Sequence, residues 1–131
     1  MSWQKPPLGW YKLNSDGASM GNPGQAGGGG LIRDSQGQWV KGYMRKFGLA
    51  TSVEAEFWAL RDGLTLASQM GINNIVVELD AKVVIELVYA TNTPNRYYTL
   101  LLNDCRTLLS RFQGMRIKHA YKGEQMRRHA C

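Results

Sequence analysis

Apolar and polar positions in the first part of the chain follow each other in short runs that predict β-strands separated by turns. Strands are predicted at residues 10–16, 27–34 and 38–47. The linker at residues 35–37 has the composition of a hairpin turn. The second strand contains four consecutive glycines at residues 27–30, which favour a bulge or the close approach of another backbone segment.

After residue 51 the apolar residues recur at helical spacing. Helices are predicted at residues 52–70, 80–90 and 97–113, and further strands at residues 74–79 and 115–121. The element order β-β-β-α-β-α-α-β predicts an α/β fold, in which helices pack on a mixed sheet.

The first predicted helix carries a regular apolar stripe along one face. The stripe consists of Val53, Phe57, Leu60, Leu64 and Ala67. Trp58 lies on the same helix and is predicted to belong to the core rather than to a surface on which nucleic-acid bases stack, because large aromatic side chains are usually buried.

Length and composition predict an ordinary globular domain. The 131 residues are expected to form one domain spanning residues 1–131, with residues 1–9 as an extended lead-in. No apolar run approaches the roughly 18 residues needed to span a membrane, and residues 1–8 lack the pattern of a secretion signal. Cys105 and Cys131 form neither a disulfide framework nor a zinc spacing. These features predict an intracellular protein of the cytoplasm or nucleus that is not secreted and does not contact a membrane.

The net charge of +6 is concentrated near the end of the chain. Residues 105–131 contain seven Lys and Arg residues against a single Glu, an excess equal to that of the whole chain. A basic face of this kind attracts phosphate backbones. A solvated surface without a partner explains the charge equally well, so charge alone leaves both interpretations open.

Three isolated carboxylates stand at the ends of predicted elements: Asp16, Glu54 and Asp80. Each has a purely structural explanation, since Asp16 precedes Gly17 in a turn, Glu54 completes a capping box with Thr51, and Asp80 is a good N-cap. The predicted fold nevertheless brings these three ends to one edge of the sheet, where α/β sheets bind ligands. Clustered carboxylates repel each other unless cations are bound, so the pattern predicts a site for hard divalent cations.

Four segments of the chain resemble the ribonuclease H family, and in particular the plant ribonuclease H-like domains found alone or at the end of retroelement reverse transcriptases. The segments are residues 9–18 (GWYKLNSDGA), 21–24 (GNPG), 51–56 (TSVEAE) and 77–81 (VELDA). The resemblance covers nearly the whole chain, and its motifs are specific as a set although each is weak alone.

The resemblance implies a five-stranded mixed sheet, with three antiparallel strands followed by parallel strands, flanked by helices. It implies hydrolysis of the RNA strand of an RNA–DNA hybrid by two Mg²⁺ ions, with Mn²⁺ as a possible substitute. Asp16, Glu54 and Asp80 would be the catalytic metal ligands. A reverse transcriptase domain in a longer parent protein is a further implied partner, and the domain itself is expected to be monomeric.

Contacts to the nucleic acid are predicted at two places next to these carboxylates. The loop from Gly17 to Asn22 would present backbone groups and the Asn22 amide to the RNA minor groove. Thr51 and Ser52 stand at a helix N-terminus, which suits a phosphate or a ribose. A plain Asn-Pro-Gly turn is the alternative explanation for Asn22.

The end of the chain departs from the family pattern. The tail at residues 122–131 contains His129 where the family has its fourth carboxylate, and the C-terminal helix is missing or truncated. His129 is a candidate metal ligand, since a neutral imidazole ligates Mn²⁺ better than Mg²⁺. The departure leaves an alternative function open, a catalytically impaired nucleic-acid-binding module derived from a retroelement. His119 is interpreted as a residue of the last strand rather than as a proton shuttle.

Overall fold

The computed structural model describes residues 4–91 and 96–120. Five strands and three helices follow in the order β-β-β-α-β-α-α-β, which confirms the predicted sequence of elements. Their bounds are β1 Tyr11–Ser19, β2 Gly24–Arg33, β3 Trp39–Ala50, α1 Ser52–Gln69, β4 Asn74–Leu79, α2 Lys82–Tyr89, α3 Thr99–Ser110 and β5 Gly114–His119. The tail at residues 122–131, and with it the predicted absence of a C-terminal helix, lies outside the described residues.

The strands form one mixed sheet in the order β3-β2-β1-β4-β5. β1, β2 and β3 are antiparallel neighbours, whereas β4 is parallel to both β1 and β5. This is the predicted fold class, with three antiparallel strands followed by parallel ones. The parallel pairing of β1 with β4 runs only from Tyr11–Ile75 to Asn14–Glu78, so the two strands are no longer paired beyond that point.

The hydrophobic core lies between the helices and one face of the sheet. Strand alternation directs Leu13, Ile75 and Val77 toward this helical face, where all three are fully buried. From α1 and α3 the core receives Phe57, Leu60, Leu64, Leu102, Cys105 and Leu109. Among the described residues no helix combines the length and the apolar character that crossing a bilayer requires.

Trp58 does not belong to this core, which corrects the prediction made for it. Its ring is only partly buried and packs edge-on against Phe47 of β3, with ring centroids 5.1 Å apart. The guanidinium groups of Arg45 and Arg61 lie 5.1 and 5.5 Å from the Trp58 ring centre. The position of Trp58 on α1 places it beside the stripe that faces the sheet, so it covers the flank between α1 and the edge strand β3.

The opposite face of the sheet carries mostly polar and charged side chains. On β1 these are Lys12, Asn14 and Asp16, and the β4 residue in register with Asn14 is Glu78. Arg116 and Lys118 of β5 lie on the same face, because they pair in register with Val76 and Glu78. We call this the open face; Asp16 lies at its upper end, where β1 and β4 have ceased to pair.

α1 approaches the sheet closely because a glycine stands at the contact. A Cβ atom on Gly63 would lie 2.4 Å from the Tyr43 hydroxyl and 2.8 Å from a Leu13 methyl group. The Tyr43 hydroxyl in turn donates a hydrogen bond of 2.6 Å to the Ala59 carbonyl oxygen. Gly63 and Tyr43 therefore set the distance of α1 from β1 and β3, and with it the position of every functional group that α1 carries.

We expect Gly63→Ala to destabilise the fold by about 1–3 kcal/mol through overpacking, although alanine is normally the better helix former. Tyr43→Phe removes the hydroxyl that the new methyl group meets, so the two substitutions should be less than additive. Urea unfolding of both single variants and the double variant measures this coupling. Gln69→Ala, exposed on the same helix, is the control and should change the free energy of unfolding by less than about 0.5 kcal/mol. Simple additivity would contradict the proposed contact.

Candidate metal centre and nucleic-acid interface

Three carboxylates from three different elements meet at the end of the sheet. Asp16 lies on β1, Asp80 follows β4 directly, and Glu56 lies in the second turn of α1. One oxygen of each lies within 4.8 Å of an oxygen of the other two. We call these three residues the acidic group. Asp16 is exposed, while Glu56 and Asp80 are partly buried.

The position of Glu56 follows from the contact between α1 and β1. A Cβ atom on Gly17 would lie 2.2 Å from the carbonyl oxygen of Ala55, so only glycine allows the first turns of α1 to come this near to β1. The Gly17 amide donates a hydrogen bond of 2.7 Å to Glu56 Oε1. The pairing of β1 with β4 ends at Asn14 and Glu78, before Gly17 is reached. The Gly17 amide therefore donates to the Glu56 side chain instead of to a backbone carbonyl of β4.

The structure does not bring Glu54, which was predicted as the third ligand, into the acidic group, because Glu56 lies at that position instead. Glu54 performs the structural role that its spacing from Thr51 indicated. Its carboxylate accepts a hydrogen bond of 2.9 Å from the Thr51 amide, and its own amide donates to the Thr51 hydroxyl over 3.1 Å. Both halves of the capping box are therefore present. Residues two apart on a helix point in nearly opposite directions, so Glu54 and Glu56 cannot share one site.

The sequence did contain a signal that distinguishes the two glutamates. The face of α1 that packs against the sheet is marked by Leu60 and Gly63, which lie four and seven positions after Glu56. That spacing places Glu56 in the middle of the sheet-facing side, whereas Glu54 falls well away from it. A helical wheel centred on the small and apolar residues of α1 would have selected Glu56.

The electrostatics of the acidic group suit a bound cation. Burial, together with the nearby charges of Asp16 and Asp80, raises the pKa of Glu56 from 4.5 to about 8, against the opposing effect of the hydrogen bond from the Gly17 amide. Such a rise means that the third negative charge is costly when no cation is present. Oxygen ligands of this kind match hard divalent cations such as Mg²⁺. The three residues therefore fit the cation site that the sequence predicted, with Glu56 in place of Glu54.

His119 is the last residue of β5, as predicted. Its Nε2 atom lies 3.1 Å from the main-chain oxygen of Asp80, and its neighbour Ala120 donates an amide hydrogen bond to the Leu79 carbonyl. The end of β5 thus holds the backbone just before and at Asp80. His129, the other histidine predicted near the site, lies outside the described residues.

A cleft of about 570 Å³ extends from the acidic group across the sheet. Its floor is the glycine run of β2, and exposed residues of the edge strand β3 form its far wall. Among its lining residues are Asp16, Asp80, Gly27, Gly29, Met44 and Lys46. Absence of side chains along the floor leaves the backbone of β2 accessible next to the carboxylates.

The predicted nucleic-acid contacts lie around the N-terminus of α1. The Asn22 Oδ1 atom accepts a hydrogen bond of 3.1 Å from the Ser52 amide, which ties the β1–β2 turn to the helix start. The Thr51 hydroxyl lies 3.3 Å from the hydroxyl of Tyr97. The Gly17 amide is engaged by Glu56. The structure thus brings Asn22, Ser52 and Thr51 together, while the Gly17 amide serves the acidic group.

This arrangement defines a class of protein: an α/β domain with a mixed five-stranded sheet and an acidic group at its end, as in ribonucleases H. The N-terminal RNase H domain of a Mycobacterium tuberculosis protein superposes with a TM-score of 0.81 and 25% identity over 89% of this chain and 91% of that one. Ribonuclease H1 of the halophilic archaeon Halobacterium salinarum gives a TM-score of 0.81 and 29% identity, covering 90% of each chain.

Sequence comparison gives the same family. The model of the family described as "Reverse transcriptase-like" matches residues 14–127. An Arabidopsis thaliana protein named "Putative ribonuclease H protein" is 32% identical over 122 residues, which is 93% of this chain. The chain spans 20% of that relative's length. This chain therefore belongs to the reverse transcriptase-like family of ribonuclease H-like domains, as its resemblance to plant members of the ribonuclease H family predicted.

Without metal, we expect the free energy of unfolding to decrease as the pH rises from about 5 to 8. Glu56 in the unfolded chain loses its proton near its ordinary pKa of 4.5, whereas the folded protein retains that proton until about pH 8. The folded state therefore binds more protons over this interval, and stability decreases with pH. Glu56→Gln should remove this part of the pH dependence and be the more stable protein at pH 8.

Thermal unfolding in EDTA at several pH values measures the effect. Glu54→Gln is the matched control, because glutamine also completes a capping box and the charge removed lies outside the acidic group. The control should keep the pH dependence of the unmodified chain. If the stability of Glu56→Gln and that of the unmodified chain decreased equally with pH, the raised pKa of Glu56 would be contradicted.

Proposed function

We propose that this chain is a metal-dependent endonuclease that hydrolyses the RNA strand of RNA–DNA hybrids. The observation that carries the proposal is the acidic group of Asp16, Glu56 and Asp80 within 4.8 Å at the end of a ribonuclease H-like sheet. Membership of the family and the names of its relatives support the same reaction. We also propose that the chain is part of a longer protein that contains a reverse transcriptase domain.

Asp16, Glu56 and Asp80 would hold two Mg²⁺ ions, or Mn²⁺ in their place. Ions held by these carboxylates would supply activation of the attacking water and stabilisation of the leaving 3′ oxygen. The chain supplies oxygen ligands from rigid elements: β1, α1 and the end of β4. The Gly17 amide holds Glu56 Oε1 by a hydrogen bond, and a carboxylate oxygen of Glu56 lies within 4.8 Å of oxygens of Asp16 and Asp80. Loss of a proton from Glu56 accompanies ion binding, since only the carboxylate form is a good ligand.

The substrate would lie across the cleft beside these carboxylates. Asn22 uses its oxygen to accept from the Ser52 amide, so its amide NH₂ group is the part oriented to donate to a ribose or base in the minor groove. The side chain of Thr51 stands at the start of α1, where the positive end of the helix dipole favours a phosphate. A hydrogen bond to the 2′-hydroxyl is the contact that would distinguish RNA from DNA.

The experiment is cleavage of an end-labelled RNA–DNA hybrid in Mg²⁺ and in Mn²⁺, comparing Glu56→Gln with Glu54→Gln. Glu56→Gln should lower kcat by more than about a hundredfold. Loss of an outer-shell partner of a metal already costs up to about a hundredfold, and Glu56 is proposed to be a direct ligand. Glu54→Gln should cleave like the unmodified chain, because glutamine preserves the capping box. Products should come from the RNA strand alone.

The two glutamates make the result specific, since both variants remove one negative charge from the same helix. Equal loss of activity in both would contradict the assignment of Glu56. Salt-sensitive binding of the hybrid without cleavage in either metal would contradict the nuclease and identify a binding module instead. A competing DNA duplex of the same sequence shows whether the hybrid is preferred.

A further inference from the structure

A polar network on the open face joins β1 to β4 immediately below the acidic group. The Asn14 Nδ2 atom donates a hydrogen bond of 2.9 Å to Glu78 Oε1. The Lys12 ammonium lies 3.3 Å from Glu78 Oε2 and also donates to the Gln4 carbonyl oxygen. Both carboxylate oxygens of Glu78 are therefore engaged, each by a residue of β1.

The network lies at the last position where β1 and β4 pair. Asn14 and Glu78 are directly in register, and they form the final pair of the parallel ladder. Asp16 and Asp80 each follow two residues later, roughly 7 Å further along their strands. Beyond Asn14 and Glu78 no pairing between the described parts of β1 and β4 fixes the distance between these two carboxylates.

We propose that Asn14, with Glu78 and Lys12, is a positioning network that sets the spacing of Asp16 and Asp80. This role rests on the proposed metal-dependent function, because it concerns the geometry of the ligands. The Asn14–Glu78 hydrogen bond clamps the two strands at the point from which each ligand projects. Without the clamp, the strand ends would separate and the two carboxylates would have to be brought together again when a cation binds.

Lys12 balances the negative charge of Glu78 within the network. Glu78 lies in the same cleft as Asp16 and Asp80, and a fourth free carboxylate there would add to the repulsion within the acidic group. The Lys12 side chain is 1% exposed and that of Glu78 is 18% exposed, so their opposite charges are poorly screened. Burial lowers the pKa of Lys12, and the charge of Glu78 opposes that effect. The ion pair holds Glu78 in its present orientation and keeps its charge neutralised.

The first test measures metal binding without substrate. Mn²⁺ is titrated into the full chain and followed by its EPR signal, comparing the unmodified protein with Asn14→Leu, which has nearly the same shape but no donor. We expect Asn14→Leu to bind Mn²⁺ about tenfold more weakly, the lower end of what loss of an outer-shell partner costs. Asn14→Ala should show a similar loss. Both variants retain the Lys12–Glu78 ion pair, so neither leaves a buried charge alone.

Val77→Ala is the matched control for a merely structural effect. Val77 precedes Glu78 but points into the core from the helical face, so its truncation destabilises β4 without touching the network. Val77→Ala should lower Tm while its Mn²⁺ affinity stays within about twofold of the unmodified chain. In hybrid cleavage, Asn14→Leu should lower kcat more than it raises KM, because the network acts through the spacing of Asp16 and Asp80.

Unchanged Mn²⁺ affinity in Asn14→Leu would overturn the positioning role. An equal loss in Val77→Ala would also overturn it, since the effect would then follow stability. If the unmodified chain binds no Mn²⁺, the metal site itself is overturned, and the proposed function and the positioning role fall together. If the unmodified chain binds Mn²⁺ but does not cleave the hybrid, the proposed nuclease activity is overturned. Weaker Mn²⁺ binding by Asn14→Leu would still support the positioning role of Asn14 in that case.

Discussion

A hydrogen bond from the Gly17 amide to the Glu56 carboxylate joins α1 to β1 at the candidate site. It requires α1 to lie almost in contact with β1, which only a glycine at position 17 permits. The same closeness is maintained further along the helix by Gly63 and the Tyr43 hydroxyl. The acidic group therefore depends on the close packing of α1 on β1, which brings Glu56 next to Asp16 and Asp80.

That closeness has an electrostatic consequence. A carboxylate that is partly buried near two others is reluctant to ionise, and the pKa of Glu56 rises to about 8 for this reason. Folding thus creates a site whose own charges oppose each other until a cation is present. The Lys12–Glu78 ion pair shows the opposite arrangement for a carboxylate on the same sheet, where a buried lysine balances the charge. Glu56 and Glu78 are therefore held in different electrostatic surroundings, although both line the same end of the sheet.

The fold was largely predictable from the sequence, and the site was predictable only in part. Element order followed from hydrophobic spacing and from turn residues, which are local signals. Asp16 and Asp80 were selected because each ends a predicted strand, although β1 continues to Ser19 in the structure. Glu54 was selected over Glu56 because a capping box is a local pattern. The correct choice depended on which side of α1 faces the sheet. The pairing of Asn14 with Glu78 needed the register of two strands whose paired residues are 64 positions apart in the sequence, which no local pattern specifies.

The hydrogen bond from Lys12 to the Gln4 carbonyl oxygen places the start of the described chain on the open face of the sheet. Trp10 strengthens this placement, since the Arg116 guanidinium lies 4.9 Å from its ring centre. Any domain joined ahead of Gln4 would consequently be tethered on the side of the sheet that carries Asp16. A ligand held by such a neighbour would be presented at high local concentration to the face where the carboxylates lie.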